Sequence, residues 1–137
     1  VADRLDHLLN ETNGILKKME EGYTVITDRY YLSSYAYQGA HMPMDWVIEA
    51  NSPSTALLRP HLNIYIDITP EESMHRINRE RSAVELYETL ENLKKVRDKY
   101  FEAIEKVGGQ EKIFIVDGRL AVDEIAALIR EKVASLL

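Results

Sequence analysis

Cysteine is absent from the 137 residues. That excludes disulfides, thiolate zinc sites and cysteine nucleophiles together, and a reducing, cytoplasmic setting is expected. There are four prolines and six glycines, and no Pro/Gly/Ser-rich linker, repeat or low-complexity tract divides the chain. No apolar run approaches the roughly 18 residues of a membrane span. The first residues do not follow the basic-then-apolar order of a secretory leader. Positive charge is also scarce: 17 Lys and Arg stand against 23 Asp and Glu, a net charge of -6. Neither nucleic acid nor an anionic membrane is expected as a partner. Any anion site must be local, built from a few arginines. The histidines at 7, 41, 61 and 75 show no metal-ligand spacing, so no zinc centre is expected.

What is present is an ordinary globular balance, 45% hydrophobic and 29% charged, long enough for one domain with a real core. Leu5, Leu8, Leu9, Ile15, Leu16 and Met19 fall at helical spacing, predicting a helix over 2–21, with Gly22 as its left-handed stop. "TVIT", 24–27, reads as a short strand. Short helices are expected over 30–38 and 44–51, with Gly39 and Pro43 between them. "NIYIDI", 63–68, is a second strand. Thr69, Pro70 and Glu72 then spell a helix start: a cap, a proline at the first helical position and a glutamate three after the cap. The helical pattern that follows is interrupted near 79–85 and ends at Gly108-Gly109. "KIFIVD", 112–117, is the third strand, and a last helix covers about 122–136. Trp46 reads as core or as a dimer face.

Strands alternating with helices, each strand a near-continuous apolar run, predict an α/β fold: a parallel sheet flanked by helices on both faces. Each strand ends in an aspartate: Asp28, Asp67 and Asp117. Ligands of open parallel sheets bind outside the carboxyl ends of the strands. Three carboxylates there would mark a working face, although aspartate also simply favours the turn after a strand.

The stretch "TVITDRYYLSSYAYQG" carries the chemistry. Asp28 can hold a magnesium-bound water or orient an attacking group. Arg29 beside it can grip a phosphate through two parallel bonds, which lysine does less well. Ser34, Tyr37 and Gln38 recur at i, i+3 and i+4, placing a hydroxyl, a phenol and an amide on one helix face. Leu32 and Ala36 lie toward other faces and can anchor that helix. The segment 76–88, "RINRERSAVELYE", carries arginines, small residues and carboxylates. It reads either as a mobile lid or as a solvated, charge-laced helix face.

In order and separation, "ADRLDH", "DRYYLSSYAYQG", "LRPHLNIYIDITPEE", "INRERSAVELYE" and "IFIVDG" resemble the thymidylate kinase family along essentially the whole chain. The resemblance implies a P-loop nucleoside monophosphate kinase fold and ATP-dependent phosphorylation of dTMP with Mg2+. It implies that Arg4 reaches the thymine carbonyl, that Ser34 and Gln38 lie at the base edge, and that Tyr37 packs under the sugar and rejects a 2′-hydroxyl. Asp28 would serve the metal and phosphoryl-transfer centre, Arg29 the acceptor phosphate, and Arg79 and Arg81 the donor phosphates from the lid. Glu85, Tyr87 and Glu88 would stand near the acceptor sugar, and Asp117 and Gly118 beside the donor adenine. A homodimer is implied as well.

One departure is large. No G-x-x-x-x-G-K-[ST] loop occurs, although the family cradles donor phosphates with it. In the family that loop belongs to an N-terminal strand–loop–helix–strand unit, and a βαβ unit takes about 30 residues. The 137 residues are therefore expected to be the C-terminal two-thirds of an enzyme, one incomplete domain lacking its first βαβ unit and inactive alone. Two other readings stay open: a kinase of another nucleotide or nucleoside on the same fold, and a non-catalytic nucleotide-binding relic.

Overall fold

The computed structural model describes residues 2–80 and 89–137. They form two compact units: Val1–Arg59 with Lys99–Ile104, and Pro60–Asp98 with Glu105–Leu137. The first is helical: α1 (Ala2–Leu9), α2 (Ile15–Glu20), α3 (Tyr31–Gly39), α4 (Met44–Ala50) and α5 (Ser52–Leu57). The second holds β1 (Asn63–Asp67), α6 (Pro70–Glu80), β2 (Ile113–Asp117), α8 (Val122–Ala134) and the flanks of α7 (Leu90–Val107).

The helix expected over 2–21 is broken in two. Asn10 Oδ1 accepts the backbone N–H groups of Thr12 and Asn13, at 3.0 and 3.2 Å. That local bonding competes with the helical ladder. Gly14 then takes an extended conformation and α2 restarts. Gly22 does stop α2, at a left-handed φ of 88°. The segment 24–27 is not a strand. It carries no regular structure and Ile26 is 92% exposed. A strand needs a hydrogen-bonded neighbour, and the two strands among the described residues pair with each other.

α3 packs on α4, while α1 packs on α2 and α5. Leu8, Tyr31, Leu32, Tyr35, Ala36, Met44 and Val47 form the buried core of this unit. Leu32 and Ala36 anchor α3 as expected. Trp46 is 56% exposed on α4, so it is not core. The helix expected over 44–51 is α4, and a further short helix that was not expected, α5, follows at Asn51 with Pro53 in its first turn.

β1 and β2 run parallel, in register from Asn63 opposite Ile113 to Asp67 opposite Asp117. α8 packs on β2, and Glu124 Oε2 accepts the Ala121 N–H at 3.0 Å before its first turn. The cover expected on both faces of the sheet is incomplete among the described residues. Ile64 and Ile66 are 38% and 47% exposed on β1, and Ile115 is 45% exposed on β2. The start of α6 is as read: Thr69 Oγ1 accepts the Glu72 N–H at 3.3 Å. Thr89 caps α7 likewise, through the Asn92 N–H at 3.2 Å. No helix among the described residues is long and apolar enough to cross a membrane.

Candidate functional site

In the first unit, α1 carries Arg4 into a polar cluster built from three other parts of the chain. Its Nη2 donates to Ser34 Oγ on α3 at 2.7 Å. Its Nη1 donates to Asn51 Oδ1, at the α4–α5 junction. The guanidinium stands over the Tyr30 ring, 5.4 Å from its centroid, within cation–π range. Tyr30 is held in turn: its hydroxyl reaches the Leu58 carbonyl at 3.2 Å and the Ser54 carbonyl at 3.4 Å. Asn51 and Ser54 are both fully buried. Ser54 Oγ is buried without a hydrogen-bond partner among the described residues.

A second chain of contacts runs along α3. Arg29 stands over the Tyr37 ring, 5.3 Å from its centroid. Tyr37 meets Tyr100 of α7 edge-on, ring centroids 6.3 Å apart. Tyr100 and Ser33 share a hydrogen bond of 2.9 Å, and burial pushes the Tyr100 phenol's pKa up. Arg29 takes a left-handed φ of 66°, unusual for a residue with a Cβ. It follows Asp28, whose carboxylate is exposed. Tyr37 and Gln38 are exposed on the face they share with Ser34.

The unit thus gathers Arg4 with Ser34 and Arg29 with Tyr37, both through α3. Sequence reading missed Tyr30, Ser33, Asn51 and Tyr100. Tyr30 and Ser33 lay inside the motif that was singled out. Asn51 and Tyr100 gave no local signal, since each is joined to the site by distant contacts.

The second unit carries the other aspartates. Arg97 holds both oxygens of Asp67, each at 2.8 Å. Asp117 is paired with Arg119, and that guanidinium holds its pKa down at about 2. Of the three expected strand-end aspartates, Asp67 and Asp117 do end strands, each paired with an arginine, while Asp28 is corrected: it follows a segment that is not a strand. The Gly118 N–H donates to the Asp67 carbonyl at 2.7 Å. A Cβ on Gly118 would stand 2.9 Å from that same oxygen, so the loop after β2 requires glycine there. Arg76 Nη1 donates to the Gly118 carbonyl at 3.1 Å, while its Nε binds Glu72 at 2.9 Å. Arg79 is exposed on α6. Arg81, Glu85, Tyr87 and Glu88 lie outside the described residues.

Among the described residues no group of three or more His, Cys, Asp or Glu side chains could hold a metal ion. Magnesium asks for less: one or two carboxylates, with substrate phosphates and water completing its shell. Asp28, exposed and next to a phosphate-binding type of residue, fits that pattern.

Helices around a small parallel sheet make an α/β fold, consistent with that of a nucleotide kinase. The thymidylate kinase family model matches residues 1–129, and the chain belongs to that family. It is 37% identical over 140 residues to a probable thymidylate kinase of Pyrobaculum calidifontis, covering 98% of this chain and 67% of that protein. A probable thymidylate kinase of Staphylothermus marinus is 41% identical over 106 residues, 77% of this chain and 50% of that protein. The thymidylate kinase of Bacillus mycoides is 30% identical over 138 residues, 96% of this chain and 65% of that protein. The chain thus spans one half to two thirds of the length of these relatives.

Proposed function

We propose that the protein carrying this chain transfers the terminal phosphoryl group of ATP to dTMP, giving dTDP. The observation that carries the reading is the joint fixing of Arg4 and Arg29 around α3, in a chain of the thymidylate kinase family. Arg29 binds the acceptor phosphate. Arg4 and Ser34 meet the base, with Gln38 on the same face, and Tyr37 lies under the sugar. Asp28 would hold Mg2+, and the ion would supply positive charge against the phosphates. Arg79 and Arg81 belong to a lid over the donor phosphates, with Glu85, Tyr87 and Glu88 near the acceptor sugar and Asp117 and Gly118 beside the adenine. Such a set suits phosphoryl transfer, which asks for positioning and charge neutralisation more than covalent chemistry. The 137 residues are part of a single nucleoside monophosphate kinase domain in this reading. The exposed Trp46 face supports a homodimer, and the lack of cysteine supports a cytoplasmic setting.

The test is ADP release from ATP and Mg2+ with dTMP, dUMP, dCMP, dGMP or UMP as acceptor. Turnover selective for dTMP is expected. Preference for another acceptor overturns the substrate, and binding without turnover points to a relic.

A further inference from the structure

Asn51 is fully buried, and none of the roles above uses it. An asparagine preceding a helix ordinarily caps it. Asn51 makes no side-chain bond to α5. Its Nδ2 donates instead to the Val47 carbonyl at 2.8 Å. That bond sets the sense of the amide, because the carbonyl accepts only from the nitrogen end. The oxygen end is thereby turned to Arg4 and accepts from Nη1. Ser34 Oγ takes Nη2 at 2.7 Å, and the Tyr30 ring limits the guanidinium from one face. The flexible stem of Arg4 is therefore fixed at its tip, while its remaining N–H groups stay available to a ligand.

We infer that Asn51 is a positioning residue for base selectivity: it aims Arg4 so that the site accepts a pyrimidine with a ring carbonyl and disfavours one with an amino group there. The inference rests on the proposed role of Arg4 at the base. A fixed array of N–H donors attracts a carbonyl oxygen and leaves an amino group facing donors with no acceptor. Arg4 held loosely would turn away from the amino analogue at little cost. Asn51 therefore contributes to discrimination without touching the nucleotide.

The experiment uses the full-length kinase with saturating ATP and compares dTMP with dCMP. The variants are Asn51→Leu, Asn51→Ser, Arg4→Ala and the double Arg4→Ala/Asn51→Leu, each checked by thermal melting. Asn51→Leu should raise KM for dTMP by about 10- to 100-fold and change kcat by no more than about threefold. The preference for dTMP over dCMP should narrow in parallel. Asn51→Ser, too short to reach Arg4, should behave alike and carries the test if the leucine variant does not fold. In the Arg4→Ala background, Asn51→Leu should add no further loss, because the two act as one device. A folded Asn51 variant with native KM and selectivity overturns the inference, as do losses that simply add to those of Arg4→Ala. If the native protein does not use dTMP at all, the proposed function falls first and this inference with it.

Discussion

Arg97 closes on Asp67 through two parallel hydrogen bonds, Nε to Oδ1 and Nη2 to Oδ2. The fork joins α7 to the end of β1, and it explains why this strand-end aspartate is a structural partner and not an open ligand. Its side chains are 32% and 23% exposed, so solvent weakens the pair without abolishing it. Arg97→Met should lower stability by about 1 kcal/mol, and Arg97→Lys, which keeps the charge but not the fork, by less. Urea unfolding midpoints measure both. An unshifted midpoint for Arg97→Met would remove the pair from the stability of this unit.

Asp117 makes a pH prediction. The Arg119 side chain, then the Arg119 backbone N–H, hold its pKa down at about 2 from an ordinary 3.8. A depressed carboxylate stabilises the fold fully above its unfolded pKa and loses that contribution as pH falls through its folded one. The native protein should thus lose stability between pH 3.8 and about 2, and Arg119→Ala should flatten that part of the slope. The pair is exposed, so added salt should flatten it too. Equal slopes for both proteins at low salt would count against the pairing.

Arg29 separates strain from binding. Its φ of 66° disfavours any residue with a Cβ, and glycine relieves that. Arg29→Gly should leave stability unchanged or raise it by up to about 1 kcal/mol. The same variant should lose acceptor binding, since the guanidinium is gone. Melting temperature and KM for dTMP, taken together, read the two effects apart. A normal KM would remove Arg29 from the site.

Tyr37 is tested by its bulk. Packed edge-on against Tyr100, it has limited room to yield to an added hydroxyl. Tyr37→Ala should admit ribonucleotides, seen as a smaller ratio of kcat/KM for dTMP over ribo-TMP. An unchanged ratio would rule out the steric filter.

Local chemistry was legible in the sequence wherever it settled the structure alone. Thr69, Pro70 and Glu72 announced α6, and the apolar runs ending at Asp67 and Asp117 announced the parallel pair. The break after Leu9 was hidden because helical spacing continues across it, while the cause is one side chain, Asn10, bonding its own loop. α5 was not read from the sequence: Pro53 stands in its first turn, where its missing N–H costs nothing. Residues 24–27 have a strand's composition, but a strand exists only with a neighbour. In the site, Ser34 was legible from its helical spacing with Tyr37 and Gln38, and Arg4 was named through family resemblance. Asn51 was not, because it meets Arg4 across 47 positions and looks, locally, like any helix cap.

The exposed indole of Trp46 has a spectroscopic consequence. It is the one tryptophan in the sequence, and it lies on α4. Excitation at the red edge of aromatic absorption therefore reports on the helical unit while the tyrosines stay dark. Far-ultraviolet dichroism sums over both units. Unfolding curves that coincide in the two signals would mark a single cooperative transition. Curves that separate would assign the fluorescence step to the unit that holds Arg4, Arg29 and Asn51.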